Sequence, residues 1–250
     1  MENRKINILK YDEAYKCGVQ NIGGKAYSIA RLNDNNINVP KGVILSKDIW
    51  KHNEKTRDEK FFQNISNEID SYLNSASYVV RSSAIGEDSK EFSWAGCFES
   101  ILDVKSSNLK SAIIECGNSL YGDRAKIYEQ LHKNACKIES IGILIQEYID
   151  AEWSGVCFSC NPVTGNEGEC VIEYQKGKSG SVVGGYGEPT TLIINKDDEN
   201  YDGTMPLKYI NLILKNVKRI SKIWNEPVDI EWVVKNGKVY ITQARPITTI

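Results

Sequence analysis

Near the C-terminus runs Asp229-Ile230-Glu231-Trp232-Val233-Val234, then Lys235-Asn236-Gly237-Lys238, then Val239-Tyr240-Ile241-Thr242-Gln243-Ala244-Arg245-Pro246. Two β-rich runs flank Asn-Gly, a strong local signal for a hairpin. Side chains two apart on a strand share a face, so Asp229 groups with Glu231 and Gln243 with Arg245. Two adjacent carboxylates on a rigid strand repel each other unless a cation lies between them. Hard oxygen ligands of this kind suit Mg2+ carried in by phosphates. The guanidinium of Arg245 is a fork that fits phosphate oxygens. A bare two-residue loop would set Glu231 opposite Thr242 and turn Gln243 and Arg245 to the other face. A three-residue loop, or one bulge, sets Glu231 opposite Gln243 and Asp229 opposite Arg245. One shared site needs the odd count, so that register is expected. The plainer alternative is an amphipathic edge hairpin with solvated charges.

The chain has 250 residues, 41% hydrophobic and 26% charged, which is ordinary for a globular protein. That length accommodates one large domain or two lobes with ample core. A net charge of -2 gives no electrostatic reason to expect nucleic acid or an anionic membrane. No apolar run approaches the ~20 residues of a membrane span. The start, Met1-Glu2-Asn3-Arg4-Lys5-Ile6, lacks the apolar stretch of a signal peptide. Seven scattered cysteines fit reduced thiols and a cytoplasmic setting.

Working back from the hairpin, Leu207, Ile210, Leu214, Val217, Ile220, Ile223 and Trp224 recur at helical spacing over residues 206–224. Upstream, Asn21-Ile22-Gly23-Gly24-Lys25-Ala26 places two glycines before a helical pattern. Such a junction lets backbone N–H groups approach a phosphate, and Lys25 adds a point charge. A loop-to-helix joint with an exposed lysine is the plainer reading. Val79-Val80-Arg81-Ser82-Ser83-Ala84 is a strand delivering an arginine and two hydroxyls toward a glycine-bearing loop, which suits an anion. Ser93-Trp94-Ala95-Gly96 reads as a loop that could close over it. Ile141 to Ile149 is a buried-type strand running into a polar connection. Cys157 and Cys160 have C-x2-C spacing without a second pair, so two strand cysteines are a better reading than zinc. His52 and His132 lie in polar segments without partner motifs and read as surface residues.

Taken in order, the motifs say more than they do singly. Gly-Gly-Lys, Val-Pro-x-Gly, Val-Arg-Ser-Ser-Ala with Glu-Asp, Ser-Trp-Ala-Gly, Ser-Gly-Val-x-Phe-x-x-Asn-Pro-Val-Thr-Gly, Asp-Ile-Glu-Trp and Gln-Ala-Arg-Pro-Ile-Thr span about residues 17–250. This ordered set resembles the N-terminal ATP-binding domain of the phosphoenolpyruvate synthase and pyruvate phosphate dikinase family. The resemblance implies an α+β fold of ATP-grasp type, two lobes with MgATP between them. Lobe one would cover about 1–145, a hinge about 146–150, and lobe two about 151–250.

It further implies that Lys25, Arg81 and Arg245 act on the phosphates as the catalytic cations, with Gln243 completing that site. Asp229 and Glu231 would hold Mg2+. Ser93 and Gly96 belong to the closing loop, Gln146, Glu147 and Ile149 to the adenine edge, and Glu173 lies near the ribose. The implied activity is ATP-dependent phosphotransfer to a histidine on a partner domain. A self-sufficient small-molecule kinase and a non-catalytic ATP-binding module are the alternatives. Two departures matter. Gly177-Lys178-Ser179-Gly180 stands where the family has Gly-Leu-Gly-Glu, so an acidic residue is missing. Neither His52 nor His132 sits in the family's phosphohistidine context, so the acceptor is expected on another chain or on a small molecule.

Overall fold

Two five-stranded antiparallel sheets, each with its own helices, make up the computed structural model of the chain. It describes residues 8–49, 59–86, 98–131, 138, 140–177, 189–195 and 203–247. Ser93, Gly96, His52, His132 and residues 178–180 lie outside the described residues. Among the described residues no helix is long and apolar enough to cross a membrane.

The first unit comprises residues 1–34 and 41–148. Its elements are β1 (Ile8–Leu9), α1 (Tyr11–Cys17), α2 (Val19–Ile22), α3 (Gly24–Asp34), β2 (Gly42–Leu45), α4 (Glu59–Leu73), β3 (Tyr78–Ala84), β4 (Ser100–Val104), α5 (Leu109–Asn118), α6 (Asp123–Leu131) and β5 (Ile141–Glu147). The sheet order is β1-β2-β5-β3-β4. In α4, Phe62, Ile65, Ile69 and Leu73 recur at helical spacing and are buried. With Leu109, Ala112 and Ile113 of α5 they cover one face of the sheet, made of Val43, Leu45, Tyr78, Val80, Ile143 and Ile145. Strand side chains alternate, so Gly42, Gly142, Leu144, Gln146, Arg81 and Ser83 belong to the other face. There α1, α2 and α3 pack.

The second unit comprises residues 35–40 and 149–250. It contains β6 (Trp153–Phe158), β7 (Glu169–Lys176), β8 (Thr190–Asn195), α7 (Leu207–Trp224), β9 (Val228–Lys235) and β10 (Lys238–Pro246). The order is β10-β9-β6-β7-β8. Helix α7 buries Tyr209, Ile210, Ile213, Leu214, Val217 and Ile220 and ends at Asn225, a left-handed cap with φ +59°. It packs against β9, β10 and β6. Val228, Ile230, Trp232 and Val234 are completely buried, whereas Asp229 and Glu231 between them are partly exposed. Residues 35–40 brace the outer strand: the Ile241 N–H donates to Asn38 O (2.9 Å) and Asn38 Nδ2 donates to Val239 O (2.7 Å).

The patterns read at residues 206–224, after Lys25, at 79–84, at 141–149 and in the hairpin fall on α7, α3, β3, β5, β9 and β10. The α+β class is as expected. Strands β4 and β8, which pattern reading does not find, are both sheet edges, and most of their residues are exposed or half-buried. An edge strand wetted on both faces has no apolar alternation to read.

Candidate functional site

The hairpin adopts the register that a shared site needs. Asn236 and Gly237 form a two-residue turn with φ +49° and +77°, the left-handed pair that an Asn-Gly hairpin turn requires. From the turn the pairing is regular through Ile241 opposite Trp232. Thr242 is then an extra residue, a β-bulge, after which Gln243 faces Glu231 and Arg245 faces Asp229. The bulge supplies the odd count. Were Thr242 instead paired in register opposite Glu231, Gln243 and Arg245 would point toward α7 together with Ile230 and Trp232.

Those four side chains extend a polar row across the sheet. Thr191, Glu173, Val156, Glu231 and Gln243 are successive cross-strand partners from β8 to β10. The neighbouring row holds Phe158, Asp229 and Arg245. Arg245 Nε donates to both carboxylate oxygens of Asp229, at 3.0 and 2.9 Å. The Asp229 side chain is 16% exposed and that of Arg245 45%, so solvent only partly screens the pair. On the α7 side, a Cβ on Gly155 would lie 2.1 Å from Glu173 O and 2.7 Å from Trp232 Cζ2. Glycine therefore leaves room for the fully buried Trp232 side chain against β6.

The donor chemistry fits a divalent cation in part. Asp229 and Glu231 offer hard oxygens from one rigid strand. Among the described residues no group of three or more His, Cys, Asp or Glu could hold a metal. The remaining ligands of such a cation would be phosphate oxygens and water. Cys157 belongs to the opposite, α7 side, and burial pushes its thiol well above the ordinary range. No group of three or more His, Cys, Asp or Glu that could hold a metal includes it among the described residues, so the C-x2-C spacing marks no zinc site.

In the first unit, two motifs separated by 57 residues meet: the Ala26 N–H donates to Ser83 Oγ at 3.0 Å. Lys25 is therefore fixed at the start of α3, beside the strand that carries Arg81. The contact depends on Gly23, whose φ is +81° and ψ +168°. A Cβ there would lie 2.0 Å from Ser83 O. The two serine hydroxyls prove to be structural. Ser82 Oγ donates to Glu99 O at 2.8 Å, Ser83 Oγ accepts from α3, and both serines are fully buried. Arg81 sits in a row with Ile44, Leu144 and Ser100.

Gln146 is buried and its Nε2 donates to the Tyr11 hydroxyl at 3.2 Å. Burial raises the pKa of that phenol far above its ordinary value, so it stays neutral. Glu147 Oε1 accepts from the Lys41 N–H at 3.0 Å. The Tyr148 N–H donates to Ser77 O at 2.9 Å. Gln146 and Glu147 thus lock the end of β5 with their side chains, a role that spacing alone does not reveal. Ile149 opens the second unit.

The register also yields a counterintuitive expectation. Deleting Thr242 removes the bulge but leaves Gln243 opposite Glu231 and Arg245 opposite Asp229. We expect the deletion variant to keep its hairpin and lose only about 1 kcal/mol, the order of one lost local hydrogen bond. A urea melt measures this. A loss of about 4 kcal/mol or more would show that the bulge is needed for packing and not only for register.

The chain is thus built of two α+β units, one displaying a carboxylate-guanidinium row and the other a glycine-lysine helix start. The family model described as the pyruvate phosphate dikinase AMP/ATP-binding domain matches residues 59–215 and 198–250, and the chain belongs to that family. A phosphotransferase of Bacillus subtilis named YvkC, described as uncharacterised, is 27% identical over 91% of this chain and 33% of its own length. A probable phosphoenolpyruvate synthase of Methanocaldococcus jannaschii is 32% identical over 69% of this chain and 17% of its own. The chain thus spans a third or less of those two relatives. Among solved structures, a D-alanine-D-alanine ligase from Helicobacter pylori aligns with 89% of this chain and 53% of its own, at 13% identity and a TM-score of 0.45.

Proposed function

We propose that the chain binds MgATP and donates a phosphoryl group to a histidine on a partner domain. The observation that carries this reading is the bulged register. It gathers two carboxylates, a glutamine and an arginine on one face of one sheet. In this reading Asp229 and Glu231 hold Mg2+, which neutralises polyphosphate charge when bound. Lys25, Arg81 and Arg245 serve the phosphates, and their charges favour the transition state as negative charge redistributes over the phosphoryl oxygens. Gln243 orients a phosphate oxygen, and Glu173 reaches the ribose. Ile149 offers its backbone to the adenine edge, with Gln146 and Glu147 bracing the approach. Ser93 and Gly96, outside the described residues, belong in this reading with the phosphates. The names of the relatives, phosphotransferase and phosphoenolpyruvate synthase, support transfer of phosphate. A cytoplasmic setting accords with Cys17, Cys116, Cys157, Cys160 and Cys170, none of which is in a disulfide.

The test is a thermal-shift titration with ATP, with and without Mg2+, on the wild type and Arg245→Ala. Saturation at 100 times Kd adds about 2.7 kcal/mol. For a chain of this size that is about 5–10 °C. We expect a Mg2+-dependent shift of this size that Arg245→Ala at least halves. No shift at millimolar MgATP would defeat the reading. Substrate-dependent ATP turnover by the chain alone would favour the small-molecule kinase. Binding without turnover in the presence of any acceptor would favour the non-catalytic module, which the missing acid at residues 177–180 already suggests.

A further inference from the structure

The metal and phosphate parts of the proposed site are tied together by one contact. Arg245 Nε–H is shared between Oδ1 and Oδ2 of Asp229. A monovalent cation therefore already sits on one of the two carboxylates assigned to the divalent one. Both cations compete for the same electron pairs, and each raises the electrostatic cost of the other. A polyphosphate changes the balance. It carries more negative charge than a carboxylate, and its oxygens suit a guanidinium fork.

From this geometry we propose that Arg245 is an exchangeable counter-ion for Asp229. Without nucleotide it holds the carboxylate and keeps a divalent cation off the Asp229–Glu231 pair. When nucleotide phosphates draw the guanidinium away, Asp229 passes to the cation. This deepens the nucleotide reading above and rests on it. The exchange makes nucleotide and metal binding mutually reinforcing, and reciprocity requires the same factor in both directions. It also keeps the site from filling with free metal. Glu231 alone, next to Gln243, is a poor site for a divalent ion, so the gate depends on Asp229.

The experiment uses the full chain and Mn2+ as the metal, with free Mn2+ counted by electron paramagnetic resonance. Binding of metal-free ATP is measured separately by calorimetry in chelator. The variants are Arg245→Gln, Asp229→Asn and the double substitution. Arg245 is half-exposed on β10, and circular dichroism melts check that each variant folds. Counter-ion exchange predicts gains where a merely structural pair predicts losses. Arg245→Gln should bind Mn2+ alone about fivefold or more tightly than wild type while binding ATP more weakly. Asp229→Asn should bind metal-free ATP more tightly and Mn2+ more weakly. The double variant should lose the Mn2+ gain. Unchanged or weaker Mn2+ binding by Arg245→Gln, with ATP binding intact in the wild type, overturns the exchange alone. Absence of ATP binding in every protein overturns the nucleotide reading and the exchange with it.

Discussion

Gly23→Ala should cost the chain about 3–5 kcal/mol, from overpacking together with backbone strain. The backbone at Gly23 has φ +81° and ψ +168°, a region that residues with a Cβ avoid. The added methyl would stand 2.0 Å from Ser83 O and 2.5 Å from Ser83 Oγ. The strand cannot yield easily. Ser83 pairs with Gly142 inside the sheet, and a Cβ on Gly142 would itself lie 2.4 Å from Ile22 O. Helix junction and strands therefore meet backbone to backbone, with a glycine on each side. Forcing them apart breaks the Ala26–Ser83 hydrogen bond and moves Lys25 away from the strand that bears Arg81. A urea melt should show the loss, and the midpoint temperature should fall by about 6–20 °C. Gly86→Ala is the control: its φ is +90°, but nothing lies within 4 Å of the new methyl. It should cost only the strain, about 1–2 kcal/mol. Equal losses in the two variants would show that close packing at Gly23 is not what matters.

How much of this was legible in the residues differs between the two units. In the hairpin nearly everything was local. Asn-Gly marks the turn and period-2 patterning marks the faces; the odd count is expected because one shared site needs it, and the residues leave open whether a three-residue loop or a bulge supplies it. In the first unit the glycine-lysine and arginine-serine motifs were visible separately. Their meeting was not, because nothing local says which strand lies beneath a helix 57 residues away. For the same reason Ser82 and Ser83 read as anion ligands, although the fold uses both as internal braces. The Asn-rich segment at 35–40 gave no hint that it would brace β10, since that bond runs through the Asn38 backbone and amide. Gln146 came to the adenine edge through the family resemblance, and its side chain has a partner inside the fold, the Tyr11 hydroxyl. Side chains that satisfy one another inside the fold and side chains that wait for a ligand look alike in a sequence. Only the presence or absence of a buried partner separates them.

Glu231→Gln should separate stability from function. The side chain is partly exposed, and its neighbours across the sheet are Val156 and Gln243. Asp229, two residues along the same strand, presents a second carboxylate on the same face. Removing one of two like charges relieves repulsion and keeps the shape. The ligand-free protein should therefore melt at the same temperature or slightly higher, as is common when a functional charge is deleted. The metal-dependent behaviour should collapse. Losing a carboxylate that binds a divalent ion directly costs about as much as losing a well-placed partner of such a ligand, or more, and that is 10–100-fold in affinity. The Mg2+-dependent part of the ATP thermal shift should then fall by about 1.4–2.7 kcal/mol, and phosphoryl transfer to an acceptor by about 100-fold or more. Glu173→Gln supplies the contrast. Glu173 shares the row but is separated from Glu231 by Val156, and its proposed partner is the ribose. Its loss should weaken ATP equally with and without Mg2+. Should Glu231→Gln lower stability and leave the Mg2+ dependence intact, the carboxylate row would be a structural feature of the sheet, and the divalent ion would have to be held elsewhere.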